Sequence, residues 1–160
     1  MPDLLELTAD LPEVTLSEGE HLLHDGTTTG SMWVLLEGTL DVLKDGVLIN
    51  SISKPGAAFG EVAVLVDGGH TADVLAATPC RLRYARDGRT AMLENPEILL
   101  VLAAGLAERL DIVTRYLADL RNQYAGAPGL EMVSTVLGRI SQQGVAPSTP
   151  GSARDPDPEY

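Results

Sequence analysis

The sequence is poor in the basic residues that nucleic-acid and membrane partners require. Only eleven of its 160 residues are Lys or Arg, against twenty-three Asp and Glu, and the formal net charge is −12. Nucleic-acid binding depends on clustered basic side chains that neutralise phosphates, and no run of Lys or Arg occurs here. An acidic protein is also repelled by an anionic membrane surface. We therefore expect neither a nucleic acid nor a membrane as a partner.

Cysteine, aromatic residues and long apolar runs are also scarce. Cys80 is the single cysteine, which excludes an internal disulfide and a metal site built from thiolates. No apolar run approaches the roughly 20 residues that span a bilayer. The first ten residues lack the basic start and the apolar segment of a signal peptide. These absences predict a cytoplasmic protein, with a core of aliphatic rather than aromatic side chains.

Short apolar segments separated by Gly and Pro fill residues 14–84 and predict a β-rich body. Asp45-Gly46 is a hairpin signal, because a type I′ turn needs two residues with positive φ. Strands this short and evenly spaced are typical of a sandwich or jelly roll. The predicted strands are residues 32–36, 39–43, 47–52, 73–77 and 81–85.

A helical period replaces the strand pattern after Asp87. Apolar residues follow three- and four-residue steps, which predicts a long helix at about 94–125. We expect its outer stripe to be covered by a twin helix in a homodimer, with packing inside one chain as the alternative. Residues 1–125 then form one domain, 126–143 hold a short extra helix, and 144–160 are a disordered tail. The stripe consists of Leu99, Leu102, Leu106, Leu110, Val113, Leu117, Leu120 and Tyr124.

The stretch FGEVAVLVDGGHTADV, residues 59–74, has the features of an anion site. Gly60 lets the backbone approach a ligand closely, and Val62 and Ala63 offer amide groups at the start of a helix. Glu61 fits such a site only if the ligand also carries hydroxyl groups, as a ribose does. A plain strand-to-helix turn could have the same residues, so the four residues alone leave both interpretations open.

The surrounding stretches HLLHDGTTTGSMWVLLEGTLDVLKDG and KPGAAFGEVAVL give a wider pattern. With them, residues 4–123 resemble the cyclic nucleotide-binding domain family, of the catabolite activator and kinase regulatory-subunit type. The resemblance implies a mainly β fold, a β-roll or jelly roll with flanking helices. It also implies that Gly60 and the amides of Val62 and Ala63 face the cyclic phosphate or ribose. Glu61 would accept a hydrogen bond from the ribose 2′-hydroxyl.

By the same resemblance, His70 stands where the family has an arginine that pairs with the phosphate. Thr71 and Ala72 match the small or hydroxyl-bearing residues that follow it, and Thr114 lies near the family's contact with the base. An arginine holds two phosphate oxygens with a permanent charge, whereas a histidine titrates near ~6.5 and donates one bond from a ring nitrogen. We therefore expect weaker binding that strengthens as the pH falls through ~6.5. A loop histidine without a ligand role is the alternative, and the negative charge of Asp73 favours a degenerate pocket or a different ligand.

No residue pattern supports catalysis or a cofactor. His21 and His24 might suggest a metal site, but residues three apart on a strand point to opposite faces, which argues against a shared ion. Cys80 is more consistent with a small buried hydrophobe than with a nucleophile. After the long helix only one short helix is predicted, whereas a helix-turn-helix needs two. We expect no enzyme, no metal and no DNA-reading unit.

Two functions of different class remain open on the sequence. The first is a regulatory sensor that binds a cyclic nucleotide or a related phosphorylated ligand and signals through its long helix. The second is a degenerate domain that has lost the ligand and acts in dimerisation or protein–protein interaction. Neither the base nor the downstream partner protein is specified by the sequence.

Overall fold

The computed structural model describes residues 2–126 and 129–142. The tail predicted to be disordered, residues 144–160, lies outside the described residues. The elements are α1 Leu4–Leu7, β1 Glu13–Leu16, β2 His21–Leu23, β3 Met32–Glu37, β4 Leu40–Lys44, β5 Val47–Ile52, β6 Ala58–Phe59, α2 Glu61–Val66, β7 Asp73–Ala76, β8 Cys80–Ala85, α3 Gly88–Glu94, α4 Pro96–Gln123 and α5 Glu131–Gln142.

The eight strands form two antiparallel sheets of four. One sheet has the order β1-β8-β3-β6, and the other has the order β2-β7-β4-β5. The β4–β5 hairpin turns at Asp45 and Gly46, whose φ angles are 52° and 77°. Both residues therefore adopt the positive φ that the Asp-Gly signal predicts. The mainly β roll with flanking helices, as predicted, is confirmed.

Strand β3 supplies side chains to two hydrophobic cores. Met32 and Val34 belong to the core shared with α1, α2, α3 and α4, while Trp33 and Leu35 belong to the core shared with β4, β7 and β8. Successive side chains on a strand point to opposite faces. A strand covered on both faces therefore reads as a continuous apolar run, which explains why four consecutive residues of β3 are buried.

The described residues form two units by their internal contacts, one ending at Leu102 and the other beginning at Ala103. In the first unit, Ile98 and Leu102 of α4 are each only 4% exposed. In the second unit, the same apolar stripe is open at Leu110, 51% exposed, and at Val113, 49% exposed. None of the described helices is long and apolar enough to cross a membrane.

Candidate ligand-binding cassette

Gly60 joins β6 to α2 in a conformation that other residues rarely adopt. Its φ is 82°, in the left-handed region. A Cβ at this position would lie 2.6 Å from the carbonyl oxygen of Ser31 and 3.1 Å from the ring of Trp33. Strand β6 pairs with β3 through Trp33 and Phe59, so β3 is held directly against the glycine. Both the backbone angle and the lack of space therefore require glycine here.

Residues 60–72 are called the cassette below, and helix α2 places its acidic residue inside the protein. Glu61 is 4% exposed, and Ala63 and Val64 are buried beside it, while Val62 is half-buried. Val64 packs into the core that contains Met32 and Val34. A carboxylate is rarely buried unless a partner or ligand satisfies it. Glu61 is therefore a buried carboxylate and not one that faces the solvent.

His70 is buried on the loop between α2 and β7, and only 4% of it is exposed. A hydrogen bond of 2.8 Å joins its Nε2 to Thr29 Oγ1. Its backbone N–H donates to Thr27 at 2.8 Å, and its carbonyl accepts from Gly26 at 2.7 Å. Burial lowers the pKa of His70 below its ordinary value of 6.5, because desolvation disfavours the charged ring. The imidazole is therefore neutral near pH 7.

The remaining predicted site residues lie at different depths. Thr71 is exposed and Ala72 is half-buried, both on the loop that leads into β7. Thr114 is half-buried on α4 and belongs to the second unit. The roles that the family resemblance gives to these residues, and to Gly60–Ala63 and His70, stay predictions.

The sequence analysis missed Trp33 and Thr29, which surround the cassette. The ring of Trp33 lies against Gly60, its centroid is 6.4 Å from that of His70, and it stacks on Tyr84 at 5.5 Å. Thr29 supplies the hydroxyl that His70 contacts. The sequence offered only an indirect sign of the role of Trp33, which is the single tryptophan and occurs in a strand followed by Glu37-Gly38. Both contacts depend on pairings distant in sequence.

The predicted geometry of His21 and His24 is wrong. Their rings stack with centroids 4.4 Å apart and planes inclined by 14°. Strand β2 pairs with β7 through His21–Leu75 and Leu23–Val74, so the register shifts between His21 and Leu23. A β-bulge places one extra residue in a strand and thereby re-aims the side chains that follow it. In addition, His24 lies one residue beyond the end of β2. The two imidazoles therefore stack on one side, and the prediction that they point to opposite faces does not hold.

Comparison with known proteins identifies the family. Residues 13–92, half of the chain, match the cyclic nucleotide-binding domain. The chain belongs to the cyclic nucleotide-binding domain family. The match includes the cassette and all eight strands, so the architecture described above is that of the family.

Relatives of this domain occur in several regulators. A cAMP-dependent protein kinase regulatory subunit of Yarrowia lipolytica is 27% identical over 148 residues, which cover 91% of this chain and 37% of that protein. The chain thus spans little more than a third of this curated relative. The N-terminal domain of a Streptomyces coelicolor transcriptional regulator is 29% identical with a TM-score of 0.50, covering 68% of this chain and 81% of that one.

A transcriptional regulator from Thermotoga maritima superimposes with a TM-score of 0.61 at 19% identity, covering 76% of this chain and 99% of that one. At such low identity the similarity shows the fold and nothing finer. The fold and the family are therefore established by comparison, and the chemistry of the cassette has to be argued from its own residues.

Proposed function

We propose that this chain is a non-enzymatic regulatory sensor domain whose cassette binds a cyclic nucleotide or a related phosphorylated ligand. The observation that carries the proposal is the burial of Glu61 and His70, each 4% exposed, in the segment that the family match includes. Gly60 directly precedes Glu61 and has a φ of 82°, in the left-handed region. The name of the Yarrowia lipolytica relative, a cAMP-dependent regulatory subunit, supports cAMP as the first ligand to test.

The cassette residues have proposed roles, with Thr71 and Ala72 as the small or hydroxyl-bearing residues that follow His70. The backbone at Gly60 and the amides of Val62 and Ala63 face the cyclic phosphate and the ribose, and Glu61 accepts from the ribose 2′-hydroxyl. His70 then donates to a phosphate oxygen. For Thr114, on α4, the contact with the base that the family resemblance implies remains a prediction.

His70 makes this a weak binding site at neutral pH. Its ring is neutral and its Nε2 is already bonded to Thr29, so binding a phosphate requires that bond to be exchanged. Replacing a charge-assisted contact by a neutral one costs ~1.5–3 kcal/mol, or roughly ten- to a hundredfold in affinity. A bound phosphate raises the pKa of the adjacent ring. Affinity should therefore increase as the pH falls, and this increase levels off only at the pKa of His70 in the free chain, which burial lowers below ~6.5.

One observation favours a second function, a degenerate module that no longer binds nucleotide. The Thr29 hydroxyl and the surrounding backbone satisfy His70 without any ligand. In this case the domain acts through the exposed stripe of α4, where Leu110 and Val113 are open to a second copy of the chain or to another protein. We propose a homodimer through this stripe under either function.

Calorimetric titration with cAMP and with cGMP at pH 6.0 and 7.5 separates the two functions. The sensor predicts saturable binding of one nucleotide per chain, tighter at pH 6.0. His70→Arg should strengthen it by ~1.5–3 kcal/mol if the cassette is otherwise intact. Asn50→Arg adds a charge on an exposed position of β5 and should not change the affinity.

The contradicting outcome is the absence of heat at millimolar nucleotide for both the native chain and His70→Arg, with the fold retained by circular dichroism. That result supports the second function, a degenerate module that no longer binds nucleotide. Binding by His70→Arg alone would show an intact cassette that this chain does not use for nucleotide.

A further inference from the structure

Three metal-ligating side chains meet at the junction of β2 and β7. His21, His24 and Asp73 each offer one ligand atom, and these atoms all lie within 4.8 Å of one another. His21 belongs to β2, His24 follows it directly, and Asp73 begins β7. The two histidines are exposed and Asp73 is half-buried. The cluster is separate from the cassette residues to which nucleotide contacts are assigned.

The backbone brings these side chains together. The register shift between His21 and Leu23 turns both imidazoles to one face, where their rings stack at 4.4 Å. Strand β2 is the edge strand of its sheet, where bulges commonly re-aim side chains. The geometry is thus set by the strand pairing and by the register shift within it.

The carboxylate of Asp73 is already oriented by a neighbour. Its Oδ1 accepts the backbone N–H of Asp25 at 2.8 Å. The side chain of Asp25 in turn pairs with Lys44, with 2.6 Å between Nζ and Oδ2. Hydrogen bonds of this kind hold a ligating carboxylate in a fixed direction. The ammonium group of Lys44 is thus paired with Asp25, whose side chain is not part of the cluster.

We propose that His21, His24 and Asp73 bind a divalent transition-metal ion, with Zn²⁺ the best-suited probe. Two imidazoles and one carboxylate are the donor set of many three-ligand zinc sites, which leave the fourth position to water. At Zn–N and Zn–O distances near 2.1 Å, tetrahedral ligand atoms lie about 3.4 Å apart. The ligand atoms now lie within 4.8 Å of one another, so the exposed His21 and His24 side chains need to move by about an ångström to reach this spacing.

A bound ion joins two segments that also flank His70. The carbonyl of His24 accepts from the Thr27 hydroxyl at 2.6 Å, and Thr27 in turn accepts the N–H of His70. Asp73 lies three residues after His70 on the other segment. The metal therefore clamps the loop that holds His70, and this role does not depend on whether the cassette binds nucleotide.

The test is calorimetric titration of the tag-free full chain with Zn²⁺ in a non-chelating buffer, with Mg²⁺ as a second probe. We expect one Zn²⁺ per chain and a Tm that rises with Zn²⁺ and falls back when EDTA is added, because an ion that binds the folded chain stabilises it. Mg²⁺ prefers six oxygen ligands and should bind far more weakly. His21→Ala, His24→Ala and Asp73→Asn should each weaken Zn²⁺ binding more than about tenfold.

Asp10→Asn is the matched control, since it removes an exposed carboxylate in the first unit but outside the cluster. It should bind Zn²⁺ like the native chain. Asp73→Asn keeps an oxygen that can accept the backbone N–H of Asp25. A lower Zn²⁺ affinity of this variant therefore reports the lost ligand and not a lost fold. The proposal is overturned if the native chain shows no saturable Zn²⁺ binding. It is equally overturned if the histidine variants bind as tightly as the native chain or if Mg²⁺ binds as well as Zn²⁺.

Discussion

The two units bury their apolar side chains to different degrees. In the first unit, Leu35, Leu40 and Leu82 are fully buried between the sheets. In the second, Ile112 and Tyr116 of α4 are 64% and 63% exposed. Burial of a leucine side chain contributes about 1.5–3 kcal/mol. The first unit therefore has a complete core of its own, whereas much of the apolar surface of the second is free to be covered by a partner.

The largest expected effect comes from making the same change in both units. Leu82→Ala removes a fully buried side chain and should lower the free energy of unfolding by about 2–5 kcal/mol, because it leaves a cavity. Leu110→Ala removes a side chain that is 51% exposed and should cost the isolated chain less than about 0.5 kcal/mol. Urea denaturation measures both. Equal losses would contradict the difference between the units.

Glycine substitutions sharpen the same comparison. Gly60 and Gly126 have similar φ angles, 82° and 85°. A Cβ on Gly60 would meet the Ser31 carbonyl at 2.6 Å, whereas one on Gly126 would meet no described atom within 4 Å. Gly126→Ala should cost at most about 1–2 kcal/mol for the left-handed backbone, and Gly60→Ala should cost more. A smaller loss for Gly60→Ala in urea denaturation would show that the first unit is less tightly packed than described.

The open stripe of α4 predicts a dimer that a charge disrupts. Val113→Asp should weaken self-association at least about tenfold, or ~1.4 kcal/mol, because an unpaired charge is costly to bury. Val47→Asp is the matched control, since Val47 is 63% exposed on β5 of the first unit. Sedimentation equilibrium gives both dissociation constants. A native chain that is monomeric throughout, or a dimer that is lost only with Val47→Asp, would contradict the proposed interface.

The smallest effect concerns His70 and the pH. Its pKa is lowered in the folded chain, so the unfolded chain binds more protons as the pH falls below ~6.5. Stability should therefore be complete above that pH and decrease as the pH falls toward the lowered pKa, by at most about 1.36 kcal/mol per pH unit for one proton. His70→Asn should remove this component of the slope. Identical slopes for the two chains between pH 7.5 and 5.5 would contradict the burial of His70.

Elements with a strong local pattern were predicted closely. Strand β5 was predicted at residues 47–52 and is Val47–Ile52, and the long helix was predicted at about 94–125 and is Pro96–Gln123. By contrast, the bounds of β1, β2 and β6 and the separate helix α3 were not predicted. Strands β1, β2 and β6 have only two to four residues and show no clear alternating pattern, although β7, Asp73–Ala76, is equally short and was predicted at residues 73–77. Local pattern therefore predicts the long elements reliably and the shortest ones only in part.

The sequence by itself determined the β-rich body, the Asp45-Gly46 hairpin and the helical stripe, because periodicity and turn chemistry act over a few neighbouring residues. It also supplied the candidate cassette residues, since they follow one another between Gly60 and Ala72, and their roles stay predictions. Only the tertiary structure decided that Thr29 and Trp33 surround His70 and that a register shift brings His21 to the same face as His24. Those contacts join segments as many as 41 residues apart, and their geometry depends on strand pairing that no local pattern specifies.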